Sequence, residues 1–232
     1  MVVGTGMVAR RFGDYVDNDA VLVFASGVSN SKSTNPADYQ RELSLLENTI
    51  ENHPNKTLVY FSTTSVYDPS ERSSDYVLHK LKLEAYIEAN AASYLIFRVS
   101  NLVGKSVNNN TVLNFFLNSL KEGSPFNLWV DASRNLIDVD DFYKVVNHII
   151  TNRIFENEIV NIANPHNYKV VDIIYSIEQF LGKKANFTAI HKGSDYPINI
   201  LKIRLVFAEL SIIFGKDYLA NLLEKYYSGN DL

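Results

Sequence analysis

Tyr76 and Lys80 stand four positions apart, in Tyr76-Val77-Leu78-His79-Lys80. On a helix, four residues turn through about 400°, which puts both side chains on one face about 6 Å apart. A phenol beside an ammonium is a proton-transfer group: the positive charge favours the phenolate, which can take the proton of a carbinol or give it back. A hydroxyl upstream, in Phe61-Ser62-Thr63-Thr64-Ser65-Val66-Tyr67, could orient the reacting oxygen beside that phenol. A third pattern, Gly4-Thr5-Gly6-Met7-Val8-Ala9, fits G-x-G-x-x-A/G. Its first glycine allows a tight strand-to-helix turn. Its second lets backbone N–H groups around Met7 and Val8 approach a pyrophosphate, and Ala9 permits close helix–strand packing.

Each pattern has an ordinary alternative. In a chain with 14 tyrosines a single Tyr-x-x-x-Lys spacing carries no weight by itself, and its place after an apolar strand ending in hydroxyls is what matters. A glycine pair can be a plain turn, and a run of Ser and Thr can be a polar loop. Asp138, Asp140 and Asp141 read as helix-capping residues rather than a cation site. The 5 histidines lack metal-ligand spacing, and His79 points off the Tyr–Lys face. Lys183-Lys184 reads as a solvated turn, and Trp129, Tyr226 and Tyr227 as packing residues. No cysteine occurs, which excludes disulfides and thiolate metal sites. With a net charge of −4 and no basic–aromatic interleaving, the sequence gives no reason to expect nucleic acid. The most apolar late stretch, 198–214, contains Lys202, Arg204 and Glu209, so no membrane span is expected. With no signal peptide at Met1-Val2-Val3-Gly4 either, the expected location is cytoplasmic.

The elements that must hold these groups are legible as a pattern. Apolar runs at 20–25, 57–62, 94–99 and 159–162 read as strands buried on both faces. Helices are expected after Met7, after the Asn35-Pro36 cap, over 76–89 behind Ser74 or Asp75, from beyond Asn108–Asn110 to Leu120, and over 140–151 and 170–181, with a mostly helical stretch over 198–227. Strands alternating with helices predict an α/β fold with a parallel sheet and helices on both faces.

In this setting Phe61–Tyr67 resembles the "SS-x-x-VYG" segment of the extended short-chain dehydrogenases/reductases, the NAD-dependent epimerase/dehydratase family. Thr63, Tyr76 and Lys80 fall on that family's catalytic Ser/Thr, Tyr and Lys. Ala25-Ser26-Gly27 is similar to a strand end that lines the cofactor. Arg98-Val-Ser-Asn101-Leu-Val-Gly104 resembles "R-x-x-N-x-x-G", and Arg134-Asn-Leu-Ile-Asp-Val-Asp-Asp141 resembles "RDFIYVDD". Val160-Asn-Ile-Ala-Asn164 looks like "FNVG". The resemblance implies a shortened Rossmann-like domain over 1–104 and a mainly substrate-side region over 105–232, with a returning strand and C-terminal helices. It implies NAD or NADP held by Gly4, Gly6, Met7, Val8, Ala25, Ser26 and Lys80, the lysine on the nicotinamide ribose. It implies a nucleotide-sugar substrate held by Asn101 and Arg134, and a homodimer formed through the Tyr–Lys helix.

The sequence departs from the family pattern in three places. Between the first helix and the strand at Val21 only a few residues stand where the family has two more strands and a helix, so the acidic residue that receives the adenosine ribose has no counterpart. The segment from Thr63 to Tyr76 is short. Val3 replaces the first family glycine. Thr64 and Ser65 stand where dehydratases carry an acidic pair, so the resemblance favours an epimerase or ketoreductase. A non-catalytic binding or scaffolding protein that kept the fold is the alternative.

Overall fold

A computed structural model describes residues 1–28, 30–106, 108–109 and 111–228. Ser29, in the small-residue loop after the second strand, and Asn110, ahead of a helix, lie outside the described residues. In chain order the elements are β1 (Val2–Val3), α1 (Met7–Arg11), β2 (Val21–Phe24), α2 (Pro36–Asn52), β3 (Thr57–Thr63), α3 (Asp75–Asn90), β4 (Tyr94–Val99), β5 (Asn101–Val103), α4 (Val112–Glu122), β6 (Phe126–Trp129), β7 (Ser133–Arg134), β8 (Leu136–Asp138), α5 (Val139–Thr151), β9 (Glu158–Ile162), β10 (Tyr168–Lys169), α6 (Val170–Leu181), β11 (Phe187–Ile190), α7 (Arg204–Glu209) and α8 (Tyr218–Tyr227). Short 3₁₀ turns cover Gly13–Tyr15, Thr64–Tyr67 and Leu201–Ile203.

The expected parallel sheet is present, in the order β1-β2-β3-β4-β9. Its strands alternate between two cores. Val21, Val23, Val59, Phe97 and Val160 pack with Phe12 at the end of α1, Phe142 and Val146 of α5, and Val206 of α7. Leu22, Phe24, Leu58, Tyr60 and Ile96 face the other way, onto Leu43 and Leu46 of α2 and Leu83 and Ile87 of α3. Being buried on both faces is why these strands read as unbroken apolar runs.

Among the described residues the sheet ends at β1, as the short link between the first helix and Val21 implied. A consequence is a change of hand. Strand order advances one way from β1 to β4, yet α1 lies on the face opposite α2 and α3. The β1–α1–β2 connection therefore has the opposite hand to β2–α2–β3 and β3–α3–β4. Parallel crossovers are right-handed in about 98% of cases, which assigns the rare hand to β1–α1–β2.

A third core holds the remainder: Leu113 and Leu117 of α4, Leu128 of β6, Ile173 and Ile177 of α6, and Leu219, Leu222 and Leu223 of α8. The pairs β5–β8, β6–β11 and β7–β10 are carried there as two-stranded sheets. The expectation of a mostly helical 198–227 holds, though in separate pieces. Its helical residues fall in a 3₁₀ turn, the six-residue α7 and the ten-residue α8. Ser211, at φ +52°, turns the chain out of the helical path after α7.

Candidate active site

Gly4 ends β1 and makes the turn into α1. Its φ is +128°, and a Cβ there would lie 2.3 Å from the Ala25 carbonyl oxygen. Only glycine fits so close to the end of β2 in that conformation. Gly6 precedes α1 in extended geometry with open space where a Cβ would stand. α1 has only five residues, so the contribution of its dipole to anion binding is small and the turn's own N–H groups matter more. Met7 turns its sulfur toward Gly104, whose missing Cβ leaves room for it and for Val139. Met7 and Val8 are partly buried against the α1-side core, so it is their backbone N–H groups that they can offer a phosphate. Ala25 donates its N–H to the Val3 carbonyl at 2.8 Å. Ser26 is clasped by Arg41, with guanidinium nitrogens 3.2 Å from its Oγ and 3.1 Å from its carbonyl.

Thr63 is the last residue of β3 and caps the following 3₁₀ turn. Its Oγ1 accepts from the Ser65 N–H at 3.0 Å and donates to Ser65 Oγ at 3.0 Å. Ser74 caps α3, with its side chain accepting from Val77 N–H, and this sets Tyr76 in the first turn. Lys80 lies one turn on, its Nζ 5.9 Å from the centre of the Tyr76 ring.

Lys80 is only 3% exposed, and its Nζ has three acceptors: Glu42 Oε1 at 2.7 Å, the Tyr60 hydroxyl at 3.0 Å and the Phe61 carbonyl at 3.4 Å. Glu42, on α2, is 0% exposed and also receives the Val28 N–H at 2.8 Å, the Tyr60 hydroxyl at 2.9 Å and His79 Nε2 at 3.2 Å. Burial opposes the charge on Glu42, but the Lys80 ammonium and these hydrogen bonds outweigh it and hold the carboxyl well below its ordinary 4.5. Burial likewise opposes the charge on Lys80, and its neighbours Tyr60 and Glu42 reverse this, raising the ammonium above 10.5. Burial, with Glu42 adding to it, holds the Tyr60 phenol above 10 and neutral. His79, expected off the Tyr–Lys face, meets Lys80 at the shared carboxylate.

A second ion pair, with its carboxylate buried and its guanidinium partly exposed, sits further along α3. Glu84 receives Arg98 Nε at 2.9 Å, Arg98 Nη2 at 2.6 Å and the Ser62 hydroxyl at 2.5 Å, and Arg98 also reaches the Tyr67 hydroxyl at 3.1 Å. The arginine of the R-x-x-N-x-x-G segment thus ties β4 to α3 beneath the Thr63 turn.

A profile of the NAD dependent epimerase/dehydratase family matches residues 7–163. The chain belongs to this family. Among solved structures, a dTDP-glucose 4,6-dehydratase from Bacillus anthracis in complex with NAD superposes with a TM-score of 0.67 at 19% identity, covering 91% of this chain and 73% of that one. A UDP-N-acetylglucosamine 4-epimerase from Methanobrevibacter ruminantium in complex with UDP-N-acetylmuramic acid gives 0.66 at 17% identity, covering 88% and 74%. RMD from Pseudomonas aeruginosa, complexed with NADPH, gives 0.59 at 16% identity, covering 76% and 72%. A search of curated proteins gives no match.

The substrate-side residues that the family resemblance pointed to lie on strands of two different two-stranded sheets. Asn101 opens β5 and donates its side-chain amide to the Asn135 carbonyl at 2.9 Å. Arg134, on β7 opposite Tyr168 of β10, donates to the Ser133 carbonyl at 2.7 Å. Near it the Tyr196 phenol is pushed up to about 12, chiefly by burial and then by Asp68, with Arg134 opposing. The Asp138 side chain accepts from the Asp140 N–H and caps α5, as the capping reading required. An open cleft of about 350 Å³ lined by Asn135, Asn164, His166, Asn167 and Asp195 contains none of the expected site residues. Among the described residues no group of His, Asp and Glu is arranged to hold a metal, and no helix is long and apolar enough to cross a membrane. Sequence reasoning missed Glu42 and Glu84, because a carboxylate on a helix reads as a solvated group until its partner is located, and Tyr60, because a phenol within an apolar strand run reads as core.

Proposed function

We propose that the chain binds NAD or NADP along the Gly4–Gly6 turn and the carboxyl ends of β1, β2 and β3, and acts there on a nucleotide sugar as an epimerase or ketoreductase. The observation that carries this reading is the Gly4 turn, a backbone path open only to glycine at the point where two parallel strands end. A pyrophosphate fits there, since nothing covers Gly6. Two other parts of the crevice fit a dinucleotide less well: the Lys80 donors are spent on protein acceptors, and β1 is a sheet edge with no further strand to wall an adenosine.

When bound, the dinucleotide supplies a hydride acceptor. Tyr76 takes a proton from a sugar hydroxyl or returns it, and Thr63 orients that oxygen. Asn101 and Arg134 hold the nucleotide-diphosphate end. Residues 1–104 form the cofactor side and 105–232 mainly the substrate side. The exposed face of α3, which includes Leu78, is the surface for a homodimer, and the cytoplasm is the compartment where such substrates occur.

The second reading, a family member that binds or scaffolds without turnover, is favoured by the same two misfits. Thermal unfolding separates them. A dinucleotide at 100 times its dissociation constant adds about 2.7 kcal/mol, a rise of roughly 5–10 °C for a chain of this size. No rise with NAD(H) or NADP(H) at millimolar concentration rejects the enzymatic reading. If binding is seen, Tyr76→Phe abolishes turnover of a nucleotide sugar and leaves the rise intact, and unchanged turnover removes Tyr76 from the reaction.

A further inference from the structure

An ammonium carries three N–H donors and no acceptor. In Lys80 all three have partners inside the protein: the Glu42 carboxylate, the Tyr60 hydroxyl and the Phe61 carbonyl. The arrangement is internally consistent, because Tyr60 accepts from Lys80 and passes its own proton toward Glu42 at 2.9 Å. The head group is also covered. A Cβ on Gly27 would lie 2.8 Å from Lys80 Nζ and 3.1 Å from Glu42 Oε1, so the loop after β2 rests directly on the ion pair. The Val28 N–H then closes the loop onto Glu42.

We propose that Glu42 is a positioning residue that withholds Lys80 from the crevice: it turns the ammonium inward, neutralises it, and uses the pair to seat the Gly27–Val28 loop, so that a ribose lying above that loop receives no donor from Lys80. The last clause rests on the cofactor reading given above, whereas the withholding of Lys80 does not.

Native amine labelling, with reductive dimethylation as the probe and peptide mass spectrometry as the readout, tests both. Labelling of a buried amine follows the population of its opened state. In the wild-type chain Lys80 reacts at least about tenfold more slowly than the exposed Lys184, and NADH or NADPH slows it by no more than the stabilisation read from the thermal shift accounts for. In Glu42→Gln, which keeps the shape and removes the charge, the Lys80 rate rises by about tenfold while the other lysines keep theirs. Tyr60→Phe removes one Lys80 acceptor and one Glu42 donor but leaves the carboxylate in place, gives a smaller rise, and serves if Glu42→Gln fails to fold. Three outcomes overturn the proposal: fast labelling of Lys80 in the wild type, protection of wild-type Lys80 by a dinucleotide beyond what the thermal stabilisation accounts for, or no change in either variant. Absence of any thermal shift with either dinucleotide removes the cofactor reading alone, and the comparison of wild type with the variants still decides the role of Glu42.

Discussion

At the scale of single residues, two glycines of one turn have opposite jobs. Gly4 is needed by the fold: its positive φ and the nearby Ala25 carbonyl make Gly4→Ala a strained and clashing substitution. It is expected to cost about 1–3 kcal/mol for the backbone conformation alone, read as a lowered denaturation midpoint. Gly6 has an extended φ and open space, so Gly6→Ala changes stability by less than about 0.5 kcal/mol but weakens dinucleotide binding by putting a methyl group where the backbone is to be approached. Equal losses of stability in the two variants would contradict this division. The buried pair makes a separate pH statement. Glu42 has its pKa lowered on folding, so its contribution to stability is fully present above 4.5 and is lost as pH falls below that toward the folded value. Lys80 has its pKa raised, so its contribution is fully present below 10.5 and is lost only above. Breaking a buried pair costs about 3–5 kcal/mol. Chemical denaturation should therefore show Glu42→Gln weaker than wild type by about that much at pH 7, with the gap narrowing below pH 4.5, and a gap constant down to pH 3 would refute the assignment.

At the scale of elements, β1 is the weak point. It has two residues, pairs on one side only with β2, and belongs to the crossover of unusual hand. Local opening free energy is lowest where few contacts must be broken. In native-state hydrogen exchange the Ala25 amide, bonded to the Val3 carbonyl, and the Val23 amide, bonded to the Met1 carbonyl, should exchange well before the Phe97 amide in the sheet interior. Equal protection would mean that β1 is held by something beyond its pairing. The same contrast marks what could be read in advance. Strands β2, β3, β4 and β9 were legible because burial on both faces forces continuous apolar runs, and α2 and α3 because Asn35, Pro36 and Ser74 are capping residues in the right places. The pairs β5–β8, β6–β11 and β7–β10 were not, because two to four residues are too few for a period to be visible and their partners lie far along the chain. The polar layer under α3 escaped for a related reason. In the sequence nothing local to residues 76–80 announces Glu42 as the partner of Lys80, and nothing around Arg98 announces Glu84.

At the scale of the whole molecule, the question is whether the sheet and the C-terminal core unfold together. Their cores are distinct, yet the chain crosses between them repeatedly: β9 returns to the sheet at its far edge, and Phe214 and Tyr226 pack against both cores. A polar clasp reinforces this. Lys225 on α8 reaches Asp138 and Asp140 at 2.7 Å each, Tyr226 reaches Asp138 at 2.5 Å, and Arg11 on α1 completes the group by pairing with Asp140 at 2.6 Å. The clasp thus joins α1 and α5, which cover the sheet, to α8, which covers the other core. Single domains of this kind unfold in one transition when such shared contacts outweigh the independent stability of the parts. The chain carries its own reporter, since its one tryptophan, Trp129, lies on β6 in the C-terminal core. Fluorescence of Trp129 and far-ultraviolet circular dichroism should therefore trace the same denaturation curve. Leu222→Ala, at a buried position of α8, should move both curves together, by about 2–5 kcal/mol. Were the fluorescence transition alone to shift to lower denaturant, the C-terminal core would be an independent unit, and the Asp138 clasp would be holding two folded bodies together rather than helping to fold one.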